Sequence, residues 1–340
     1  MDNLTPFAAT CMPFMTPRNL ESALIIVAGR FDLPPPGAGT AAKICEQQSL
    51  PPLEDVHYAD PEHSSLKREG LASCPRSGTD ILVYGDAWTP GGRPAAQALV
   101  EVRVGPCRRA AVVYGDRWWR RGFGGPRPSA PRSFERAPLV YERSFGGFLA
   151  GARGARREAC ERNPVGLGLM PSLTAAVDRA LPNIEDPQQL IQTPSDLPSP
   201  VGFGPIARSW GPRRAFAGTY DDAWTAERAP LWPDDLDERF FRAAPPELRA
   251  TKHLEGNEQL RLTGLHPGGV IELPLPHQRL LAKLRTATQT LRLPLPLDTV
   301  IIDATEMTLT MIWRAQVILR PSFLILEEIL VRSLRDRSTA

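Results

Sequence analysis

Proline is the residue that most limits what this chain can become. There are 36 prolines among 340 residues, about double the usual ~5% share. Proline lacks a backbone donor and interrupts both helix interiors and central strands. Apolar content is an ordinary 42%, enough to build a core. Together these argue against a helical bundle and predict short strands joined by long, stiff loops.

The strand signals cluster towards the two ends. Residues 22–33 (SALIIVAGRFDL) read as a strand ended by Pro34–Pro36, and AAKICEQQSL, before Pro51–Pro52, as a second short one. Residues 53–79 are polar and broken, and read as a loop. DILVYGDAW (80–88) is a strand closed by Pro90–Gly92. In ALVEVRVG (98–105), Val100, Val102 and Val104 alternate with Leu99, Glu101 and Arg103, the period of a half-buried strand. RRAAVVYGDRWW (108–119) follows Gly105–Pro106, giving a meander. Near the C-terminal end, EQLRLTGL and VIELPL read as strands. In residues 297–320, Met307, Leu309, Met311, Trp313, Ala315, Val317 and Leu319 share one strand face, preceded by a hairpin turn at Asp303–Glu306. Residues 322–335 fit a helix and a strand equally.

Residues 120–250 carry little periodicity, yet hold Phe145, Phe148, Phe203, Trp210, Phe216, Tyr220, Trp224, Trp232, Phe240 and Phe241. Disordered segments lack such anchors, so this stretch is expected to be ordered irregular structure packed on the sheets. Short helices are expected at 172–180, with Ser172 as N-cap, and at 234–242. The fold class is mainly β: antiparallel, sandwich-like sheets, a Pro/Gly-rich irregular centre and a few short helices. Residues 1–340 read as one composite domain. The linker-like GFGGPRPSAPR leaves open a division into a β meander (1–121) and a loop-rich and C-terminal β region (134–340).

Composition also narrows the chemistry. The five cysteines form no C-x-x-C pair and are odd in number, so neither a disulfide framework nor a zinc ribbon is expected. The five histidines make no ligand-spaced pair. The nucleophile elbow, the P-loop and the dinucleotide fingerprint are absent. No catalytic residue, metal or cofactor is expected. No secretory signal or membrane-spanning run is visible, and a cytoplasmic location is expected. Net charge is +2, but residues 101–162 hold fourteen arginines against six acidic residues. A nucleic-acid surface is one reading of that excess. Solvated loops neutralised within the fold, in part by the acidic residues of 1–60, are the weightier one.

The more specific feature is a set of polar and aromatic residues held in Gly/Pro turns. YERSFGG supplies Tyr141, Glu142, Arg143 and Phe145; NPVGLG supplies Asn163; LPNIEDP supplies Asn183, Glu185 and Asp186. GFGPIARSW adds Phe203 and Trp210, and GTYDDAW adds Tyr220, Asp221 and Trp224. Glu142, Arg143, Glu185 and Asp186 could form hydrolase-like acid–base machinery. Loop-rich structure, however, needs such side chains to satisfy buried backbone groups. That role, or partner binding, outweighs catalysis.

These segments, with SSLKREG, GTDILVYGDAW, VYGDRWW, ERAPLWPDDLDERFFRAAPPE and LDTVIIDATEMTLTMIWRA, closely resemble the bacterial domain-of-unknown-function family 2169, encoded beside type VI secretion spike and effector genes. The resemblance covers nearly the whole chain. It departs at Leu167, where the family usually has arginine or a similar residue, at Glu247–Leu248, where it usually reads Asp-Gln, and at Arg76–Ser77–Gly78, where Lys-Pro is common. A lysine often seen in the first strand is also missing from AGRFDL. The resemblance implies an adaptor or chaperone that binds an effector, or its PAAR-type tip protein, and brings it to the VgrG spike.

Overall fold

A computed structural model describes residues 1–149, 158–172 and 174–334. Strand residues outnumber helical ones, 39% to 9%, so the protein is mainly β. Strands of four or more residues are β1 (Ala8–Met15), β2 (Glu21–Asp32), β3 (Asp80–Tyr84), β4 (Gln97–Val104), β5 (Cys107–Tyr114), β6 (Gln259–Thr263), β7 (Ile271–Pro274), β8 (Leu280–Thr286), β9 (Thr290–Leu295), β10 (Leu297–Asp303), β11 (Thr308–Ile318) and β12 (Leu326–Ser333).

They form three main sheets. The first runs β1-β2-β11-β10-β3, with β10 and β3 parallel and the other pairs antiparallel. The second runs Ile184–Glu185, then β5-β4-β6-β7, all antiparallel. The third runs Asp2–Asn3, then β12-β8-β9, with only its first pair parallel. Each sheet thus joins residues from both ends of the sequence across the linker-like segment.

The continuous apolar run of β2 is buried on both faces, as such a run requires. Ala23, Ile25, Val27 and Phe31 enter the main core, while Leu24, Ile26 and Ala28 pack with Leu71 and Ile312 on the other side. The expected face of β11 is inward: Leu309, Met311 and Trp313 are buried, and Trp313 stacks on Phe7 at 5.5 Å. The expected hairpin between β10 and β11 forms. Asp303 Oδ1 accepts from the Thr305 and Glu306 amides at 3.2 and 3.0 Å. Val100, Val102 and Val104 point into the core. DILVYGDAW is interrupted at Gly85, whose φ of +139° splits it into β3 and the short strand Asp86–Trp88.

Other expectations are corrected. Of AAKICEQQSL only Lys43–Ile44 pairs with β2. Beyond it the Gln48 side chain substitutes for a strand, accepting from the Arg30 amide and donating to the Arg30 carbonyl, both at 2.8 Å. The supposed loop 53–79 contains the strand pair Val56–His57 and Leu66–Arg68. The helix expected at 172–180 is a single 3-10 turn, Thr174–Ala176, although Ser172 Oγ does accept from the Ala175 amide at 3.3 Å. At 234–242 there is a 3-10 turn, Glu238–Phe241, capped by Asp237. Among the described residues the α-helices are α1 (Gly211–Arg214) and α2 (Asp222–Glu227). Of the two readings of 322–335, the strand is realised as β12, and 335 itself lies outside the described residues.

Candidate functional site

The turn motifs around residues 141–210 build one platform beside the second sheet. Phe145–Gly146 pairs in parallel with Leu167–Gly168. The wholly buried Asn163 ties this pair together: its amide donates to the Tyr141 and Phe145 carbonyls at 2.8 and 3.0 Å. Gly146, at φ +151°, is required here because a Cβ would overlap the Asn163 carbonyl oxygen. Tyr141 lies edge-on to Trp210 at 5.1 Å. A Cβ on Gly202 would strike the Tyr141 ring, so Gly202 is what lets that ring lie against the backbone. Burial pushes the Tyr141 phenol above its ordinary pKa. Phe203 is fully buried, and its carbonyl accepts from the Val83 amide of β3 at 2.9 Å.

Each acidic candidate has its own structural partner. Glu142 accepts from the Ser65 amide at 2.7 Å and the Ser65 hydroxyl at 2.8 Å. The buried Glu185 pairs with the buried Arg117 and accepts from the Ile191 amide at 2.9 Å. Asp186 accepts from the Gln188 amide at 2.8 Å. Arg143 reaches Asn183 Oδ1 at 3.4 Å and stands 3.9 Å from Asp116. Asn183 in turn donates to the Tyr114 carbonyl and to Asp116, both at 3.1 Å. Glu142 thus holds the Ser65 loop while Glu185 and Asp186 both hold the turn at 185–191, and no hydrogen bond joins Glu142 to Glu185 or Asp186.

The platform borders an open groove of about 370 Å³ lined by Glu62, His63, Phe148, Leu167, Met170 and Arg179, among others. Tyr220, Asp221 and Trp224 belong elsewhere, to the lobe built on α2. Asp221 caps that helix by accepting from the Trp224 amide at 2.8 Å. Trp224 donates to the Leu231 carbonyl at 2.9 Å and meets Tyr220 edge-on at 4.7 Å. Tyr220 remains 51% exposed.

Among the described residues, seven of the fourteen arginines of 101–162 have a carboxylate partner, and none of those partners lies in residues 1–60. Arg103 and Arg108 lie on Glu101, Arg109 on Glu247, Arg117 on Glu185, Arg120 on Asp178, Arg136 on Asp86 and Arg143 on Asp116. Arg153, Arg156 and Arg157 lie outside the described residues.

The sequence reading missed a buried charge network. Arg76 is its hub: it pairs with Glu69, approaches Asp80 at 3.0 Å and donates to Asp298 at 2.6 Å. Asp80 also accepts from Arg242 at 2.6 Å and from the Ala243 and Ala244 amides at 2.6 and 3.0 Å. Arg213 stands 2.9 Å from Glu69 and donates to the Phe240 and Ile206 carbonyls at 2.9 and 2.8 Å. Arg314 lies 3.7 Å from Asp298. All seven side chains are buried. Burial alone would raise the Asp298 pKa, but Arg314 and Arg76 hold it down to about 2. The signal was available: Asp80, Asp298 and Arg314 are charges inside apolar strand runs, and such positions demand buried partners. This network fastens the irregular centre to the first sheet.

A family model described as an uncharacterized protein conserved in bacteria, domain-of-unknown-function family 2169, matches residues 18–314. The chain belongs to this family. No curated protein and no solved structure matches it. The 2169 match takes in both the platform and the charge network. Among the described residues no helix is long and apolar enough to cross a membrane, and no group of three or more His, Cys, Asp or Glu could hold a metal ion.

Proposed function

We propose that this protein is a cytoplasmic, non-enzymatic adaptor or chaperone that binds a type VI secretion effector, or its PAAR-type tip protein, and helps load it onto the VgrG spike. One observation carries the preference for binding over turnover. Glu142, Glu185 and Asp186 are each occupied in holding loop backbone, so the platform is built for rigidity. Rigid loops that keep aromatic groups at the surface suit a broad protein interface. Phe148 at the groove and Tyr220 on the α2 lobe are such groups, both about half exposed. The type VI setting rests on the resemblance of the turn motifs to a family encoded beside spike and effector genes. The hydrolase-like reading would need the carboxylates to converge, and the nucleic-acid reading would need unpaired arginines. The pairings above do not support the first, and they leave the second only part of the arginine excess.

Deleting the gene in a secreting strain tests the proposal. The steady-state level of one cognate effector should fall while spike assembly continues, and a tagged copy should capture that effector or its tip protein from cytoplasm. Normal abundance and secretion of every effector in the deletion strain would reject it.

A further inference from the structure

Among the described residues one large apolar side chain stands wholly in solvent, Phe123. It sits at the tip of the hairpin formed by Trp119–Arg120 and Arg127–Pro128. The tip is held by its own backbone: the Gly125 amide donates to the Gly122 carbonyl at 3.2 Å, and Arg127 donates to the Phe123 carbonyl at 3.3 Å. Gly124 and Gly125 take positive φ with nothing within 4 Å of where a Cβ would stand, so they serve the turn and not packing. Along this hairpin the charge is all positive. Residues 119–132 carry four arginines and no carboxylate. Arg120 pairs with Asp178. Arg132 lies over the Trp118 ring at 4.5 Å, and Arg121 and Arg127 have no carboxylate partner among the described residues.

A complementary surface lies on the α2 lobe. Residues 219–238 carry seven carboxylates against one cation, Arg228. A groove of about 340 Å³ opens there, with Ala223, Trp224 and Pro233 as apolar lining and Glu227, Asp234 and Asp235 as acidic lining. An apolar cavity of about 150 Å³ already admits benzene, so there is room for a phenyl ring. Trp224 is fixed by its bond to the Leu231 carbonyl. Asp234 pairs with Arg228 at 2.6 Å and Asp235 holds Thr219, but the exposed Glu227 has no cation partner among the described residues. Two other grooves match the hairpin less well. The platform groove is lined by Arg179 and His63 as well as Glu62. The groove beside β1 carries a single carboxylate, Glu21, already bonded to the Phe323 amide at 2.9 Å.

We propose that the α2 groove receives a second copy of this chain: Phe123 of one copy enters beside Trp224 and Pro233 of the other, and Arg121 and Arg127 face Glu227, Asp234 and Asp235. Tip and groove are different patches, so the contact is head-to-tail and a pair keeps one free tip and one free groove. A single hairpin tip buries less than the roughly 1,200 Å² of a stable complex. The association is therefore weak, driven by concentration and diminished by salt. It does not depend on any role in secretion.

Sedimentation of the full chain over a wide concentration range tests this. The weight-average mass should rise above that of one chain as concentration increases, and fall back in high salt. Phe123→Ser and Glu227→Lys, both at exposed positions, should each weaken association tenfold or more. Mixed together they should recover it, because the first keeps an intact groove and the second an intact tip, and the mixture should stop at two chains. A wild-type mass of one chain at every concentration, variants that associate like wild type, or a mixture no larger than its separate components would each overturn the proposal.

Discussion

Glu142 receives both donors of Ser65, which lies on a different loop. Glu142→Ala would strand those donors in a half-buried place and should cost about 1–2 kcal/mol, read as a lower denaturant midpoint with unchanged slope. Glu185→Ala should cost more, about 3–5 kcal/mol, because it leaves the buried Arg117 without its counter-charge. Equal losses in the two variants would contradict this ordering. Asp298 gives a pH signature. Its folded pKa of about 2 lies below the ordinary carboxyl value, so its stabilising contribution is complete above the unfolded pKa and disappears as pH falls through about 2. Denaturation titrations should show roughly 2 kcal/mol lost from this group between about pH 5 and pH 2, and Asp298→Asn should flatten that part of the profile. The turn motifs were legible as structural candidates because Asn, Asp and Glu beside Gly and Pro satisfy loop backbone. Which distant residue each one meets was not legible: Ser65 and Arg117 are set by tertiary docking alone.

At the scale of single elements, β1 is the open edge of the first sheet. Thr16 donates its amide to Leu20, so in this antiparallel ladder Phe14, Met12 and Thr10 exchange hydrogen bonds with β2. Met15, Pro13, Cys11 and Ala9 then turn their backbone groups outward. Pro13 occupies an outward position, where its missing N–H removes a docking point for another strand. Pro13→Ala should therefore increase self-association at high concentration, measured as a larger mass in sedimentation, with the melting temperature little changed. A monodisperse variant of unchanged mass would show that the edge is protected in another way. Strands with clear period two, such as β4 and β11, were readable from the sequence because burial follows alternation. Lys43–Ile44 was over-read because an apolar run before two prolines does not reveal that Gln48 takes over the pairing. The lobe at 211–227 was under-read, since helices of four and six residues leave too short a pattern to detect.

At the scale of the whole molecule, the linker-like sequence at 122–133 suggests a place where the chain could be divided, and the sheets argue otherwise. β2 pairs along eleven positions with β11, and β4 lies between β5 and β6. Residues 1–121 expressed alone would lose β11 from one side of β2 and β6 from one side of β4, exposing two long apolar strands. They should aggregate or melt without cooperativity. A cut made after folding has a different consequence. Phe123 is fully exposed, beside Gly124 and Gly125 at positive φ, so brief chymotrypsin treatment should cleave there first. The two fragments remain joined by all three sheets and by Arg76, which reaches Asp298 across the cut. They should co-elute as a particle of the parent mass and melt in one transition, at a slightly lower temperature because the unfolded pieces gain freedom. Separation of the fragments in native buffer, or two independent transitions, would instead establish 1–121 and 134–340 as autonomous domains.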